Sequence, residues 1–327
     1  MGSLFSFLEE VEHVDEKQPI TTSNVELDSA TECQFLSVAM KVALDEIIQT
    51  ETISRDVLSI EFASALLKES PKQEFDEQLD NFFLIRNDTM IMKGVPRRPF
   101  YKEILKRIMK MEEYYSEKGH VFIKENEVLP RPLLPATELD FTEIDSSSKI
   151  FPISPFLKNE REPVKGCKSW LLKCGEVGIR ELLGLRSTIG TEMNLFPPAI
   201  DELIHAANQP ITTKPNAKPP ILTLAGRART KHAHRGSKDQ FFGISKGNNI
   251  EKNEAGEKIV RDMIQDAIWI NIHVFGGVEV PIMEIRNSLG YGARWSANWS
   301  NETPYDIVFR GFLEPQMQDG FEKKWRH

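Results

Sequence analysis

The chain has 327 residues, of which 40% are hydrophobic and 28% are charged. This composition is typical of a globular protein and excludes a wholly disordered chain, which has fewer apolar residues. The length favours two domains, and no apolar run approaches the roughly 20 residues that a membrane-spanning helix needs.

The cysteine content and the first residues bear on where the protein resides. Three cysteines, a small and odd number, indicate reduced thiols in a cytoplasmic or nuclear compartment. Residues 1–6 fit the pattern for N-myristoylation. The acidic residues that follow them, however, oppose both a secretory signal and attraction to an anionic membrane. We therefore expect a soluble cytoplasmic or nuclear protein without a transmembrane segment.

Charge is unevenly distributed along the chain, whose net charge is −8. Residues 1–90 hold 19 acidic and 6 basic residues, whereas residues 211–247 hold 8 basic residues and 1 acidic residue. Such a basic segment can face phosphate groups. The alternatives are that it pairs with the acidic half of the chain or forms a solvated loop.

The first 124 residues predict an acidic helical module. Residues 1–27 are acidic and polar, and we expect them to be loosely ordered. Apolar residues at three-to-four spacing then predict helices that begin near Ser29 and Ser54 and helices at residues 75–83 and 100–115. Their apolar stripes are expected to pack on one another over residues 28–124. The acidic surface of these helices is a candidate docking site for a protein partner.

Residues 125–218 predict a linker with short helices. Residues 125–168 are rich in Pro, Ser and acidic groups and lose helical periodicity, which indicates an irregular segment along the surface. Short helices are predicted at residues 176–183 and 198–207, the second helped by a proline at its start.

Residues 219–327 predict a C-terminal α+β domain. Apolar spacing over residues 253–271 indicates a helix. Alternating or apolar runs predict strands at residues 270–275, 278–286, 290–296 and 307–313, with a hairpin turn at Gly276-Gly277. The fold class is thus α+β, with an N-terminal helical module joined by a Pro/Ser-rich segment to an antiparallel sheet with a packed helix.

Polar residues are concentrated on two of the predicted strands. Residues two apart on a strand share a face, so Asn271 lies beside His273, and Glu284 beside Arg286. If the two strands are neighbours, an imidazole, a carboxylate and a guanidinium group converge, as in an acid/base site with an anion clamp. The alternative is a structural ion pair between neighbouring strands.

The candidate site residues fall into two groups. The candidate acid/base groups are His232, His234, His273 and Glu284. The candidate ligand contacts are mainly cations, with an aromatic ring and an amide: Lys231, Arg235, Phe242, Lys246, Asn271, Arg286, Arg294 and Arg310.

Two further hypotheses concern phosphate and metal. Lys246-Gly-Asn-Asn before a helix offers backbone amides to a phosphate, although a helix cap in an exposed turn explains the same residues. His232 and His234 with His273 and Glu284 have the side chains of a metal site, but Lys231 and Arg235 oppose a cation, and we assign no metal. No motif identifies a cofactor.

The function that these patterns favour is binding of a phosphorylated or otherwise anionic ligand by the C-terminal domain. The ligand class is a nucleotide or a nucleic acid, and whether the domain also acts on it as an enzyme stays open. The alternative is a non-catalytic interaction or scaffold protein that docks a partner on its acidic helices.

Overall fold

The computed structural model of the chain describes residues 29–50, 58–69, 93–118, 153–160, 162–188, 190–212, 218–233, 241–274, 280–300 and 303–315. These ranges contain eight helices and four strands: α1 Ser29–Gln49, α2 Ile60–Leu67, α3 Phe100–Lys118, α4 Ser154–Glu160, α5 Pro163–Leu182, α6 Ile200–Ala207, α7 Leu224–Ala233, α8 Asn249–Gln265, β1 Trp269–His273, β2 Ile282–Arg286, β3 Gly292–Ser300 and β4 Thr303–Leu313. None of the helices in these ranges has the length and apolarity to cross a membrane.

Several sequence predictions lie outside the described residues. They are the acidic N-terminus, the helix at residues 75–83, the Pro/Ser-rich stretch up to residue 152 and the turn at Gly276-Gly277.

Helix α1 packs through apolar residues spaced three and four apart. Leu36, Met40, Ala43 and Ile47 are buried. The apolar spacing equally allows a stripe through Phe35, Val38 and Val42, but Val42 is 38% exposed. The helix therefore buries the stripe that carries Met40 and Leu44, about one residue position further along the chain.

Helix α2 begins where polar groups meet its first turn. The hydroxyl of Ser59 accepts a hydrogen bond from the N–H of Phe62 and donates one to Glu176 Oε1 in α5, at 3.2 and 2.6 Å. The backbone N–H of Ser59 donates to the same carboxylate oxygen at 2.8 Å. A carboxylate at a helix N-terminus is favoured by the helix dipole, so Glu176 joins α5 to α2.

Helix α4 and the first part of α5 lie where the sequence predicted an irregular segment up to residue 168, and α5 is longer than the helix predicted at residues 176–183. Pro163 lies in its first turn, where proline costs no hydrogen bond. Gly175 interrupts it with a φ of 62°, a conformation that glycine adopts readily. Its glycines weaken the helical pattern in the sequence. The apolar stripe that nevertheless forms one buried face consists of Cys167, Trp170, Leu171 and Cys174.

The four strands form one antiparallel sheet in the order β1-β2-β3-β4. Together with the helices that occupy the N-terminal described ranges, this sheet confirms the predicted α+β class. All four strands overlap the predicted ones. The alternation of side chains across strands of this register gives the sheet an apolar face and a polar face.

The apolar face of the sheet packs against α6, α7 and α8. It carries Ile270, Ile272, Met283, Ile285, Ala293, Trp295, Phe309 and Phe312, all buried. The indole N–H of Trp295 donates to the carbonyl oxygen of Leu203 in α6 at 3.0 Å. Helices α7 and α8 cross closely: a Cβ added at Gly256 would lie 2.5 Å from the backbone nitrogen of Gly226.

Buried contacts join the N-terminal helices to the sheet-bearing part. Gly94 N–H donates to the carbonyl oxygen of Ala267 at 2.7 Å, just before β1, and Val95 N–H donates to that of Ile264 in α8 at 2.9 Å. Arg107 of α3 donates through Nη2 to the carbonyl oxygen of Gly94 at 2.9 Å. Buried apolar residues from α1 to β4 belong to one hydrophobic cluster.

Candidate functional site

The polar face of the sheet carries a row of side chains across three strands. Asn271 of β1 pairs with Glu284 of β2, which pairs with Arg294 of β3. Directly opposite residues point to the same face. His273 and Arg286 lie two residues further along β1 and β2 and therefore share that face. The structure thus brings together the imidazole, carboxylate and guanidinium groups that the sequence placed on these strands.

The carboxylate of Glu284 lies between two guanidinium groups. Its Oε1 accepts a hydrogen bond from Arg286 Nε at 2.5 Å, and its Oε2 accepts one from Arg294 Nε at 2.7 Å. Burial alone would raise the pKa of this carboxyl group. The attraction of both arginines outweighs burial, so the pKa lies below its usual value. Glu284 is therefore ionised at neutral pH.

Arg286 ties the polar face to the chain just after β4. Its Nη1 donates to the carbonyl oxygens of Gly290 and Glu314 at 2.7 and 3.2 Å. The side chain is 2% exposed. Burial lowers the pKa of Arg286, and the neighbouring Glu284 opposes that shift. These contacts make Arg286 a buried support for Glu284 rather than a cation that faces solvent.

His273 lies beside Glu284. Its Nε2 is 3.8 Å from Glu284 Oε2, and 10% of its side chain is exposed. Burial lowers the pKa of His273; Glu284 opposes this shift, whereas Arg294 and Arg286 add to it. The imidazole is therefore neutral at pH 7, which is the form that can accept a proton.

Two cations lie where the polar face meets solvent. The side chain of Arg294 is 24% exposed, and Arg310 of β4 is exposed. Arg294 pairs with Gly311, whereas Trp295 pairs with Phe309, so Arg310 is the extra residue of a β-bulge. A bulge changes the direction of a strand's side chains, and bulges are frequent beside binding sites.

Residues 185–188 and 190–192, which we call the edge segment, cover the outer edge of β1. Leu185 forms a parallel bridge with Ile270, and Thr191 forms an antiparallel bridge with His273. The N–H of Arg186 donates to the carbonyl oxygen of Ile270 at 2.8 Å. The edge segment therefore continues the sheet beyond β1.

Two threonine hydroxyls of the edge segment hold the side chain of Asn271. Asn271 Nδ2 donates to Thr188 Oγ1 at 2.7 Å, and Thr191 Oγ1 donates to Asn271 Oδ1 at 2.9 Å. The N–H of Thr188 also donates to Thr191 Oγ1, at 2.7 Å. Sequence reasoning missed both threonines, since no motif marks them and only the strand pairing shows that they reach the polar face.

His232 does not join this cluster. Its Nδ1 lies 2.8 Å from Glu314 Oε1, and its ring packs on Phe242 with ring centroids 4.7 Å apart. It also meets the edge of Phe312, a residue of the apolar face. His232 therefore lies on the helix side of the sheet, whereas His273 lies on the polar face. The two imidazoles that the sequence grouped together belong to different surroundings.

Phe242 and the Lys246 turn have structural contacts. Phe242 is 2% exposed, so its ring faces are not available to stack on a base. The side chain of Asn248 accepts hydrogen bonds from the N–H groups of Ile250 and Glu251, at 2.8 and 3.1 Å. Glu251 in turn accepts one from the N–H of Asn248 at 2.7 Å. This capping box occupies the N–H groups of Asn248, Ile250 and Glu251, as the helix-cap alternative from the sequence describes.

The remaining predicted residues are placed as follows. Lys231 and Lys246 are exposed. His234 and Arg235 lie outside the described residues. Within the described ranges, no three His, Cys, Asp or Glu side chains come close enough together to hold a metal ion. Burial raises the pKa of the Cys167 thiol to about 12, so this cysteine is not a thiolate at neutral pH.

Comparison with known protein families gives a match to part of the chain. No curated protein and no solved structure matches the chain significantly. The matched residues, 212–314, include α7, α8, all four strands and Glu314. They do not include the N-terminal helices or the edge segment. Residues 212–314, less than half of the chain, are similar to the family described as CdiA C-terminal tRNase toxin domain.

Proposed function

We propose that the polar face binds RNA and that the protein cleaves a phosphodiester bond of tRNA there. The similarity of residues 212–314 to a tRNase toxin domain family is the observation that carries the substrate class. A second observation supports the place: His273, Glu284 and Arg294 lie together within that same segment. The sequence analysis expected a nucleotide or nucleic-acid ligand, and this proposal narrows that expectation to tRNA.

In the proposed reaction the neutral imidazole of His273 accepts the proton of a ribose 2′-hydroxyl group. The 2′-oxygen forms a bond to the adjacent phosphorus, and the bond from phosphorus to the 5′-oxygen of the next nucleotide breaks. The leaving 5′-oxygen takes a proton from water. The products are a 2′,3′-cyclic phosphate and a free 5′-hydroxyl group.

The charged neighbours of His273 have distinct proposed roles. Glu284 stabilises the imidazolium that forms when His273 takes the proton, as a carboxylate beside a catalytic imidazole does. Arg294 and Arg310 contact the phosphate and stabilise the charge that develops on its oxygens. Arg286 keeps Glu284 in place.

The test uses the purified full-length protein and tRNA. We expect cleavage that leaves cyclic phosphate ends, detected by mass spectrometry of the fragments. An oligonucleotide of DNA with a single ribose should be cut only after that ribose, because the reaction needs a 2′-hydroxyl group. Intact tRNA after prolonged incubation with the wild-type protein would contradict the proposal.

Variants locate the reaction on the polar face. His273→Ala should abolish cleavage, and Arg294→Ala should reduce it by roughly 100-fold, the scale of losing one transition-state contact. Arg261→Ala is the matched control, since Arg261 is 26% exposed and its ion pair with Glu257 lies on α8. Full activity of His273→Ala would assign the cleavage to another part of the chain.

A structural role for the polar face is the second candidate, and the contacts of Glu284 favour it. Both carboxylate oxygens are used by arginines and the group is buried. The protein would then be a non-catalytic interaction protein, which is the alternative function that the sequence analysis left open. Under this candidate, His273→Ala lowers the melting temperature and changes no activity on RNA.

A further inference from the structure

We infer that Thr188 and Thr191 of the edge segment are positioning residues for the cleavage site on the polar face. This inference rests on the proposed function and extends it to residues outside the segment that resembles the toxin domains. The two threonines would act through Asn271 and His273 rather than by touching the scissile bond.

Thr191 lies directly opposite His273. The N–H of Val274 donates to the carbonyl oxygen of Gly190 at 3.0 Å, and the N–H of Glu192 donates to that of Ile272 at 2.9 Å. These bonds flank the Thr191–His273 bridge, so the two residues form a non-hydrogen-bonded antiparallel pair. In such a pair the side chains approach most closely. The side chain of Thr191 therefore lies directly beside the imidazole of His273.

The same hydroxyl also fixes Asn271. Thr191 Oγ1 accepts a hydrogen bond from the backbone N–H of Thr188, and the hydroxyl of Thr191 donates a hydrogen bond to Asn271 Oδ1. Asn271 returns a hydrogen bond to Thr188. This closed set holds the amide of Asn271, which is 1% exposed, in one orientation. Asn271 is the register partner of Glu284, so the edge segment lies beside His273 and fixes the amide that stands opposite Glu284.

The edge segment is itself held by buried arginine side chains. Arg186 Nη1 donates to the carbonyl oxygens of Glu181 and Leu185 at 3.2 and 3.1 Å. Arg180 of α5 donates through Nη1 to the carbonyl oxygens of Met193 and Leu195, which lie just after the edge segment. The helices that precede the toxin-like segment therefore orient the threonines, and a site of the proposed kind needs side chains held within a fraction of an ångström.

The experiment compares Thr191→Val with Thr191→Ser in the full-length protein. Valine removes the hydroxyl and serine keeps it. We expect Thr191→Val to lower kcat for tRNA cleavage by roughly tenfold or more, with KM changed little, because misplacing a catalytic group acts on the chemical step. Thr191→Ser should recover most of kcat. Thr230→Val is the matched control, since the buried hydroxyl of Thr230 makes no hydrogen bond to the described residues.

A second measurement is independent of catalysis. The titration of His273, followed by NMR, should shift in Thr191→Val and stay near the wild-type value in Thr191→Ser and Thr230→Val. If Thr191→Val does not fold, Thr188→Val with Thr188→Ser replaces the pair, since Thr188 holds the other side of Asn271. Wild-type kcat together with an unshifted titration would overturn the inference. A wild-type protein that leaves RNA intact contradicts the proposed function, and the titration then decides the positioning alone.

Discussion

At the residue scale, the polar face depends on Glu284 and its two arginines. Removing one partner of a buried ion pair leaves an uncompensated charge. We expect Glu284→Gln to lower the free energy of unfolding by about 3–5 kcal/mol, measured by urea denaturation at pH 7. Asp262→Asn removes the exposed ion pair of Asp262 with Lys258 and should cost less than about 1 kcal/mol. Equal losses in the two variants would contradict the prediction.

The same carboxylate predicts how stability depends on pH. The pKa of Glu284 is lower in the folded protein than its ordinary value. As the solution is acidified, the unfolded chain therefore takes up a proton on Glu284 before the folded protein does. The contribution of Glu284 to the free energy of unfolding is complete above the pKa of the unfolded chain and is lost as the pH falls through the pKa of the folded protein. The difference in urea midpoint between wild type and Glu284→Gln should shrink below about pH 5. A constant difference down to pH 3 would count against this assignment.

The titration of His273 is expected to respond in opposite directions to its neighbours. Glu284 raises the pKa of His273 and Arg294 lowers it. Glu284→Gln should therefore shift the NMR titration to lower pH, and Arg294→Ala should shift it to higher pH. The acid limb of kcat/KM should rise with pH through a pKa below about 6.5, the ordinary value for histidine. Shifts of the same sign in both variants would show that a wider rearrangement controls this histidine.

Side chains alternate between the two faces of a strand, and this alternation decides which parts of the site could be predicted from the sequence. The pairs Asn271 with His273 and Glu284 with Arg286 could be predicted, because a two-residue period fixes which side chains share a face. The sequence could not show that His232 lies on the opposite face, since the register of a helix against a sheet depends on tertiary packing. It also could not show Thr188 and Thr191, which reach the site only through pairing with a distant strand.

At the scale of elements, the close crossing of α7 and α8 reverses the usual preference of a helix for alanine over glycine. Alanine in a helix is favoured over glycine by about 1 kcal/mol. A Cβ at position 256, however, would lie 2.5 Å from Gly226 N and 2.6 Å from the carbonyl carbon of Ala225. Backbone atoms cannot move aside without shifting the helix, so Gly256→Ala should destabilise the protein by about 1–3 kcal/mol.

The measurement for this prediction is the melting temperature of purified variants. Glu254→Ala lies in the same helix at an exposed position and should leave the melting temperature nearly unchanged. A higher melting temperature for Gly256→Ala than for wild type would show that the two helices separate at little cost.

Elements differed in how well the sequence predicted them. The strands were predicted because alternation survives in their sequence, and α8 because of its apolar spacing, although the structure places this helix at Asn249–Gln265 rather than at residues 253–271. The first half of α5 was missed because proline and glycine obscure a stripe formed by Cys167, Trp170, Leu171 and Cys174. The edge segment has no regular pattern of its own; its extended form comes from hydrogen bonds to β1.

At the scale of the whole molecule, Arg107 connects three parts of the fold. Its side chain, 3% exposed, donates to Glu103 Oε1 and to the carbonyl oxygens of Leu182 and Gly94. We expect the helices and the sheet to unfold in a single transition, with far-ultraviolet circular dichroism and tryptophan fluorescence giving the same urea midpoint. Two separate midpoints in the wild type would contradict this.

A variant tests the connection directly. Arg107→Ala leaves buried carbonyl groups without their donor and should lower the free energy of unfolding by at least about 3 kcal/mol. Lys106→Ala, an exposed neighbour on the same helix, should have little effect.

The edge segment has a consequence for the toxin-like part taken alone. In the whole protein it covers backbone groups of β1, among them the carbonyl oxygens of Ile270 and Ile272. A fragment of residues 212–314 would expose them as an open strand edge, and such an edge templates pairing with another chain. The fragment should therefore self-associate with rising concentration, as measured by light scattering, and a synthetic peptide of residues 184–193 should suppress the association by taking the vacant place. The edge segment would then protect β1 of its own chain from pairing with a second chain.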